Sequence, residues 1–233
     1  MRWPFRKRTS YRESIRETGE GFFDASVLLA SQVKQGWENV QNLPNLTTQD
    51  DWLIVREVLW YMISQCDRVV RHEWVVQNAD EVMDGITYWS LTRFMVAFDF
   101  SASPSNVRQT QQRQLETWQA EAAAAYREGP DVVPVEQHHE IIRTASLVPN
   151  SPLDRLNRRI EKSLGITLTN QQTGNAGDTG VAGIESIYDR ITEEGISLED
   201  VVVITVGPTG NNMRDLLKET HLDEVLLGKN AYA

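Results

Sequence analysis

The pentapeptide EQHHE at residues 136–140 contains the side chains whose types and spacing best suit a metal ion. Glu136 and His139 are three positions apart, which places both side chains on one face of a helix. Carboxylate-bridged dinuclear sites in helical bundles use this E-x-x-H pair, but they require it twice, together with carboxylates from neighbouring helices. The sequence contains the pair once, so a metal-dependent bundle enzyme is an alternative hypothesis. Its completing ligands would be Glu57, His72 or Glu73.

The segment VVVITVGPTGNN at residues 201–212 has the local order of strand, glycine turn and helix. Free amides at the start of a helix attract anions, so Gly207, Gly210 and Asn211 are candidate anion-binding residues. The segment lacks the lysine of a Walker loop, and the sequence has no G-x-G-x-x-G fingerprint. Nucleotide or anion binding is therefore the weaker alternative. The competing interpretation is a two-stranded element, or a strand that pairs with another chain.

The sequence offers no nucleophile in a recognisable catalytic setting. The G-x-S-x-G motif is absent, and Cys66 falls on an apolar helical stripe, where a thiol usually behaves as a small hydrophobic group. A polar helix start is an adequate structural interpretation of EQHHE, because acids there complement the helix dipole. The sequence therefore favours a non-enzymatic protein and predicts no cofactor.

The N-terminal arm, residues 1–9, differs in charge from everything that follows it. Five of the 23 basic residues and none of the 33 acidic residues fall in the first 12 positions, so the remaining 18 basic residues leave that part with a net charge of −15. Such a body is a poor binder of nucleic acid. The candidate partner-binding residues are the cations and aromatics of the arm: Arg2, Trp3, Phe5, Arg6, Lys7 and Arg8.

The arm has the composition of a segment that contacts an acidic protein, another subunit or an anionic membrane surface. A solubilising tail is the alternative interpretation. The predicted partners are a protein partner or a second copy of the chain, with peripheral membrane contact through the arm. The single cysteine, the lack of a secretory leader and the lack of an 18-residue apolar run favour a cytoplasmic location, at a membrane surface or within an assembly.

Apolar periodicity predicts a succession of helices. Gly19 and Gly21 indicate a break between a short first helix, about 10–18, and a longer one, about 21–41. The central helix begins near Thr47 or Thr48 and carries one broad apolar stripe, while Trp60 and Tyr61 lie outside that stripe and indicate cover on a second side. The other predicted elements are helices at 78–99, 104–128, 135–146, 152–163, 184–194 and 211–227, and strands at 165–169 and 201–206.

At Glu73 the sequence leaves two alternatives open. Continuing the central helix places this acid in the middle of the apolar stripe, and burying an unpaired carboxylate is costly. Either the helix ends near His72, which the sequence favours, or Glu73 is buried with a partner.

These observations predict a predominantly all-α fold, a multi-helix bundle with a small C-terminal α/β appendage. The predicted organisation is the arm at 1–9, a helical bundle at 10–165, a Gly-rich linker or loop at 166–183 and a small α/β unit at 184–233. The predicted function is that of a non-enzymatic interaction or assembly subunit whose arm contacts an acidic or anionic partner.

Overall fold

The computed structural model describes five stretches of the chain: residues 10–38, residue 40, and residues 47–97, 151–168 and 196–227. It also describes seven helical residues between 113 and 124. These parts of the chain contain helices, turns and short irregular segments but no strand, so the prediction of a predominantly α-helical fold is confirmed.

Seven α-helices and one π-helical turn make up the continuous described stretches. They are α1 (Tyr11–Trp37), α2 (Thr48–Arg68), the π-helical turn (Val69–Glu73), α3 (Ala79–Ala97), α4 (Pro152–Leu164), α5 (Leu198–Asn211), α6 (Met213–Glu219) and α7 (Leu222–Leu227). None of the described helices combines the length and the apolar character that a membrane span requires.

The first helix is a single element, so the predicted break at Gly19 and Gly21 is wrong. Ser10 caps α1 by accepting a hydrogen bond from the backbone N–H of Glu13 at 3.2 Å, and the Glu13 carboxylate completes a capping box. Glycine fits position 19 because α3 packs closely against it: a methyl group at this position would lie 2.6 Å from the carbonyl oxygen of Ile86. The Ser90 hydroxyl lies 2.9 Å from the carbonyl oxygens of both Gly19 and Ile86.

Helices α1, α2 and α3 form a three-helix core in which α1 and α3 run parallel. The Asn78 side chain donates to the Tyr11 hydroxyl at 2.9 Å near the start of both helices, and Arg93 pairs with Asp24 at 3.1 Å further along both. Helix α2 runs the opposite way. Lys34 near the end of α1 pairs with Asp51 at the start of α2, at 2.7 Å.

The later helices close over this core. The Trp37 indole N–H donates to the carbonyl oxygen of Leu198 at 2.9 Å, which fixes the start of α5 beside the end of α1. The Ser14 hydroxyl donates to the carbonyl oxygen of Thr220 at 2.6 Å, which places the turn between α6 and α7 beside the start of α1. Apolar side chains from all seven helices share one buried core, whose largest fully buried members include Trp37, Tyr61, Phe94, Leu156 and Met213.

The predicted strand at 201–206 is wrong, because these residues lie inside α5. Ser197 and Asp200 form a buried capping box that starts the helix, and Glu199 and Asp200 complement its dipole. Val201, Val202, Val203 and Val206 are buried, so packing against neighbouring helices outweighs the strand propensity of valine. The second predicted strand is also wrong over its described residues: Gly165 ends α4 with φ +66°, and residues 166–168 have no regular secondary structure.

Helix α2 corresponds to the predicted central helix and is buried on more than one side. Trp60 and Tyr61 are buried together with the apolar stripe, which confirms that α2 is covered on more than one side. Of the two alternatives for Glu73, the helix end is confirmed, one residue after His72. Glu73 is only partly buried, and its carboxylate pairs with Arg68 at 3.4 Å and with Arg214 of α6.

Several predictions fall outside the described residues. These are the arm at 1–9, the helices at 135–146 and 184–194, and the Gly-rich segment at 169–183. The predicted helix at 104–128, which is rich in Gln and Ala, is described only at seven residues between 113 and 124. The division of the chain at 165 and 183 stays a prediction.

Candidate functional site

Two helices bring a buried carboxylate and two guanidinium groups together where α2 meets α4. Glu57 is fully buried and Arg56 is 5% exposed, which is unusual for charged side chains. Arg159 and Ser163, four residues apart on one face of α4, complete the group. These four residues are called the Glu57 cluster.

Every oxygen of the Glu57 carboxylate has donors. One oxygen accepts from the Arg56 Nε at 2.9 Å, from the Arg56 Nη2, and from the Ser163 hydroxyl at 2.9 Å. The other oxygen accepts from the Arg159 Nε at 2.6 Å. Charge-assisted hydrogen bonds of this kind are stronger than neutral ones, so the cluster joins α4 firmly to α2.

The Glu57 cluster contains two guanidinium groups and one carboxylate, and neighbouring groups shift the pKa of Arg56. Burial lowers the pKa of the Arg56 guanidinium, while the carboxylates of Glu57 and Glu121 oppose this shift. Arg56 also lies over the Trp52 ring, 5.6 Å from its centroid. Because the Glu57 oxygens are occupied by donors from the protein, this carboxylate serves as a structural clamp rather than a general base or a metal ligand.

The described residues do not bring the proposed metal ligands together. Glu57 and Glu73 are 16 positions apart along one continuous helical segment, which corresponds to about 24 Å at 1.5 Å per residue. Both carboxylates are engaged by arginines, and His72 is exposed. Within the described stretches no group of three or more His, Cys, Asp or Glu residues is arranged to hold a metal ion. Glu136 and His139 lie outside these stretches, so their pairing stays a prediction.

The structure does not show the glycine turn and helix start that the predicted anion site at residues 207–211 requires. Gly207, Gly210 and Asn211 occupy the last turns of α5, where a helix presents free carbonyl groups rather than free amides. The glycines serve packing instead: a methyl group on Gly207 would lie 3.3 Å from Leu153, and one on Gly210 would overlap the Tyr61 hydroxyl. Anion binding at these residues stays a prediction, without the loop geometry on which it depended.

Cys66 and Tyr61 are fully buried on α2, and burial raises the pKa of both groups above their ordinary values. The folded protein therefore keeps both protonated at pH values where the unfolded chain ionises them. Their contribution to stability is fully present below about pH 8, and it is lost progressively as the pH rises from the ordinary pKa values, about 8.5 for Cys and 10 for Tyr, toward the raised pKa values of the folded state.

We therefore expect the free energy of unfolding to fall between pH 9 and pH 11. The slope should approach about 1.4 kcal/mol per pH unit for each group that only the unfolded chain ionises. Urea unfolding across this range measures the slope. Tyr61→Phe should make it shallower near pH 10–11, and an unchanged slope in this variant would contradict the assignment to Tyr61.

A second surface lies along the solvent side of α1. Four acids follow one another at helical spacing, and two exposed apolar residues continue the same side of the helix. We call this surface the α1 outer face, and it consists of Glu13, Glu17, Glu20, Asp24, Val27 and Leu28. Val27 is 40% exposed and Leu28 is 59% exposed. The candidate arm residues Arg2, Trp3, Phe5, Arg6, Lys7 and Arg8 lie outside the described stretches, but the first described residue, Ser10, is the cap of this helix.

No protein-family model, no curated protein and no solved structure gives a significant match to this chain. The functional argument therefore depends on the residues themselves. The sequence analysis considered Glu57 only as a possible metal ligand and missed its burial. Sequence evidence for this burial lies three and four positions after Glu57, at Trp60 and Tyr61. These large side chains share the side of α2 that carries Glu57, so another helix has to cover that side.

Proposed function

We propose that this protein is a non-enzymatic interaction or assembly subunit whose N-terminal arm binds an acidic protein partner. The body also has exposed apolar side chains on the parallel pair α1 and α3. Leu28 on α1 and Tyr88 and Val96 on α3 are each between 59% and 63% exposed. Single exposed apolar side chains are common on protein surfaces, so the observation that carries the proposal is the contrast in charge between the arm and the body.

The charges of the chain support the same proposal. In the Glu57 cluster and around Glu73, ionic groups join helical elements: α2 to α4 in the first case and the π-helical turn to α6 in the second. The arm supplies four cations in positions 1–9, next to a body whose net charge is strongly negative. A cationic segment with two aromatic residues is suited to an acidic protein surface, where arginine and tryptophan commonly dominate binding energy.

The proposal predicts that neutralising the arm removes partner binding without unfolding the body. The test variant carries Arg2→Gln, Arg6→Gln, Lys7→Gln and Arg8→Gln in the full chain. Quantitative pull-down and sedimentation velocity should show loss of the acidic partner, or of self-association, with an affinity decrease of at least tenfold. The interaction of the unsubstituted chain should also weaken with added salt, because exposed charges are screened.

A matched control keeps the number of substitutions but moves them off the arm. The four control substitutions, Arg93→Gln, Arg158→Gln, Lys162→Gln and Lys218→Gln, neutralise cations of exposed ion pairs and should leave partner binding intact. If the arm variant retains every partner and the same assembly state as the unsubstituted chain, the proposed role of the arm is wrong.

A further inference from the structure

Helix α4 carries one polar residue on its otherwise apolar inner side. Leu153, Leu156 and Ile160 are buried on this side, and Asn157 lies among them with only 4% of its surface exposed. Neither the oxygen nor the nitrogen of the Asn157 side-chain amide has a hydrogen-bond partner among the described residues. Burying an amide without partners is costly, so an asparagine at a position that suits leucine requires a physical explanation.

Helix α2 contributes two further buried polar atoms of this kind. Gln65 is 2% exposed, and its Oε1 accepts no hydrogen bond from the described residues. Arg68, three positions later, is in the same situation at its Nε, although another nitrogen of its guanidinium pairs with Glu73 at 3.4 Å. Side chains on a helix lean back toward its N-terminus, so Arg68 reaches toward Tyr61 on the same side of α2. Burial raises the pKa of the Tyr61 hydroxyl, and the nearby charge of Arg68 opposes this shift.

The backbone of α5 lies directly against this part of α2. A methyl group on Gly210 would overlap the Tyr61 hydroxyl and would lie 3.5 Å from the Gln65 Cγ. One turn earlier on α5, a methyl group on Gly207 would lie 3.3 Å from Leu153 of α4. The end of α5 therefore contacts α2 and the start of α4 at neighbouring positions.

The position of Asn157 on α4 places it at the same junction. Arg159 contacts Glu57 of α2, and Asn157 lies two positions before Arg159, so its side chain leaves the opposite flank of the helix. Asn157 is also four positions after Leu153, on the side of α4 that contacts α5. The polar atoms of this asparagine and those of α2 therefore meet where α2, α4 and α5 come together.

We propose that Gln65, Arg68 and Asn157 form an internal hydration site that holds one or two water molecules between α2, α4 and α5. The site offers acceptors at Gln65 Oε1 and Asn157 Oδ1, and donors at Arg68 Nε and Asn157 Nδ2. Water both donates and accepts, and a buried water typically makes about three hydrogen bonds to polar groups that lack other partners. Because Glu73 balances the charge of Arg68, the site suits a neutral molecule rather than an ion. The site does not involve the N-terminal arm and goes beyond the proposed function.

Nuclear magnetic resonance of the unsubstituted full chain tests for the water. The side-chain amide protons of Asn157 should show a cross-peak at the frequency of water. In a rotating-frame experiment this cross-peak should have the sign of a dipolar contact, which separates a long-lived bound water from hydrogen exchange. A missing cross-peak would overturn the inference, and this measurement requires no variant to fold.

A double-mutant cycle tests whether Gln65 and Asn157 share the water. Gln65→Met and Asn157→Leu keep the approximate shape of each side chain but remove its polar atoms. If the water is shared, either change alone leaves the other residue short of a hydrogen bond. The equilibrium constant for unfolding of the double variant, measured with urea, should then be at least about fivefold smaller than the two single effects predict.

Gln32 on α1 provides a matched control, because this glutamine is exposed. Gln32→Met combined with Asn157→Leu should give additive effects to within about twofold, as expected for distant sites. Coupling of similar size in the control cycle would show that the coupling to Gln65 is not specific.

The two measurements together distinguish the alternatives. Coupling between Gln65 and Asn157 without a water cross-peak would mean that the two side chains bond to each other directly, and the inference would be wrong. A cross-peak without coupling would mean that the water serves Asn157 alone, which also contradicts a shared site. A cross-peak together with coupling specific to Gln65 supports the hydration site.

Discussion

Replacing Glu57 with glutamine is expected to lower the free energy of unfolding by about 3–5 kcal/mol, the range found when one member of a buried ion pair is removed. The glutamine keeps the shape of the side chain but leaves the guanidinium groups of Arg56 and Arg159 without a counter-charge in a buried setting. Urea unfolding at pH 7 measures the change. This stability effect is expected to be among the largest that a single substitution in the described residues produces.

An exposed pair on the same helix provides the control. Asp67 pairs with Arg71 at 2.6 Å, but their side chains are 39% and 34% exposed. Asp67→Asn should therefore cost no more than about 1 kcal/mol, as expected for exposed ion pairs. A Glu57→Gln variant as stable as Asp67→Asn would show that the Glu57 cluster is not the clamp between α2 and α4.

The second large effect is expected at Gly19. In Gly19→Ala the new methyl group would lie 2.6 Å from the Ile86 carbonyl oxygen and 2.8 Å from the Trp89 Cβ, so α1 and α3 would have to move apart. Overpacking of this kind costs about 1–3 kcal/mol. Backbone atoms supply the closest contact, and they cannot adjust as the end of a flexible side chain can.

Gly21 provides a control two residues away on the same helix. A methyl group there meets no atom within 4 Å. Gly21→Ala should stabilise the protein by about 0.5–1 kcal/mol, because alanine is the better helix former. Thermal unfolding of the two variants should therefore show shifts of opposite sign, and shifts of the same sign would contradict the packing assigned to Gly19.

The sequence was sufficient for features that depend on near neighbours. The start of α4 follows from Ser151 and Pro152, and Ser151 accepts a hydrogen bond from the backbone N–H of Asp154 at 3.2 Å. The start of α2 was placed near Thr47, whose backbone N–H donates to Asp50 at 2.6 Å. The apolar stripe of α2 was also correct. In each case the determining residues lie within one or two helical turns of each other.

The errors arose where distant residues decide the outcome. In the sequence Gly19 looks like a helix breaker, but in the structure α3, about 70 positions later, packs against it inside a continuous helix. Valines 201–203 look like a strand in the sequence, but in the structure they are buried in α5, which packs against α1, α2 and α4. Glu57 resembles a surface acid until α4 brings Arg159 to it from 102 positions away. Local propensity could not reveal these contacts, because each is made only in the folded chain.

The long-range contacts of α1 also fix the order in which the native core can be completed during synthesis. The Trp37 indole N–H donates to a carbonyl oxygen 161 positions later in the sequence, and the Ser14 hydroxyl donates to one 206 positions later. Neither bond can form before the ribosome has added the accepting residue. At about 5–20 residues per second, a ribosome needs roughly 8–30 s to cover the first interval. Until then the apolar side of α1 that faces α5 has no permanent neighbour. The native core is therefore complete only after residues near 220 have been made, and a chain interrupted before α5 would leave the side of α1 that packs against α5 exposed.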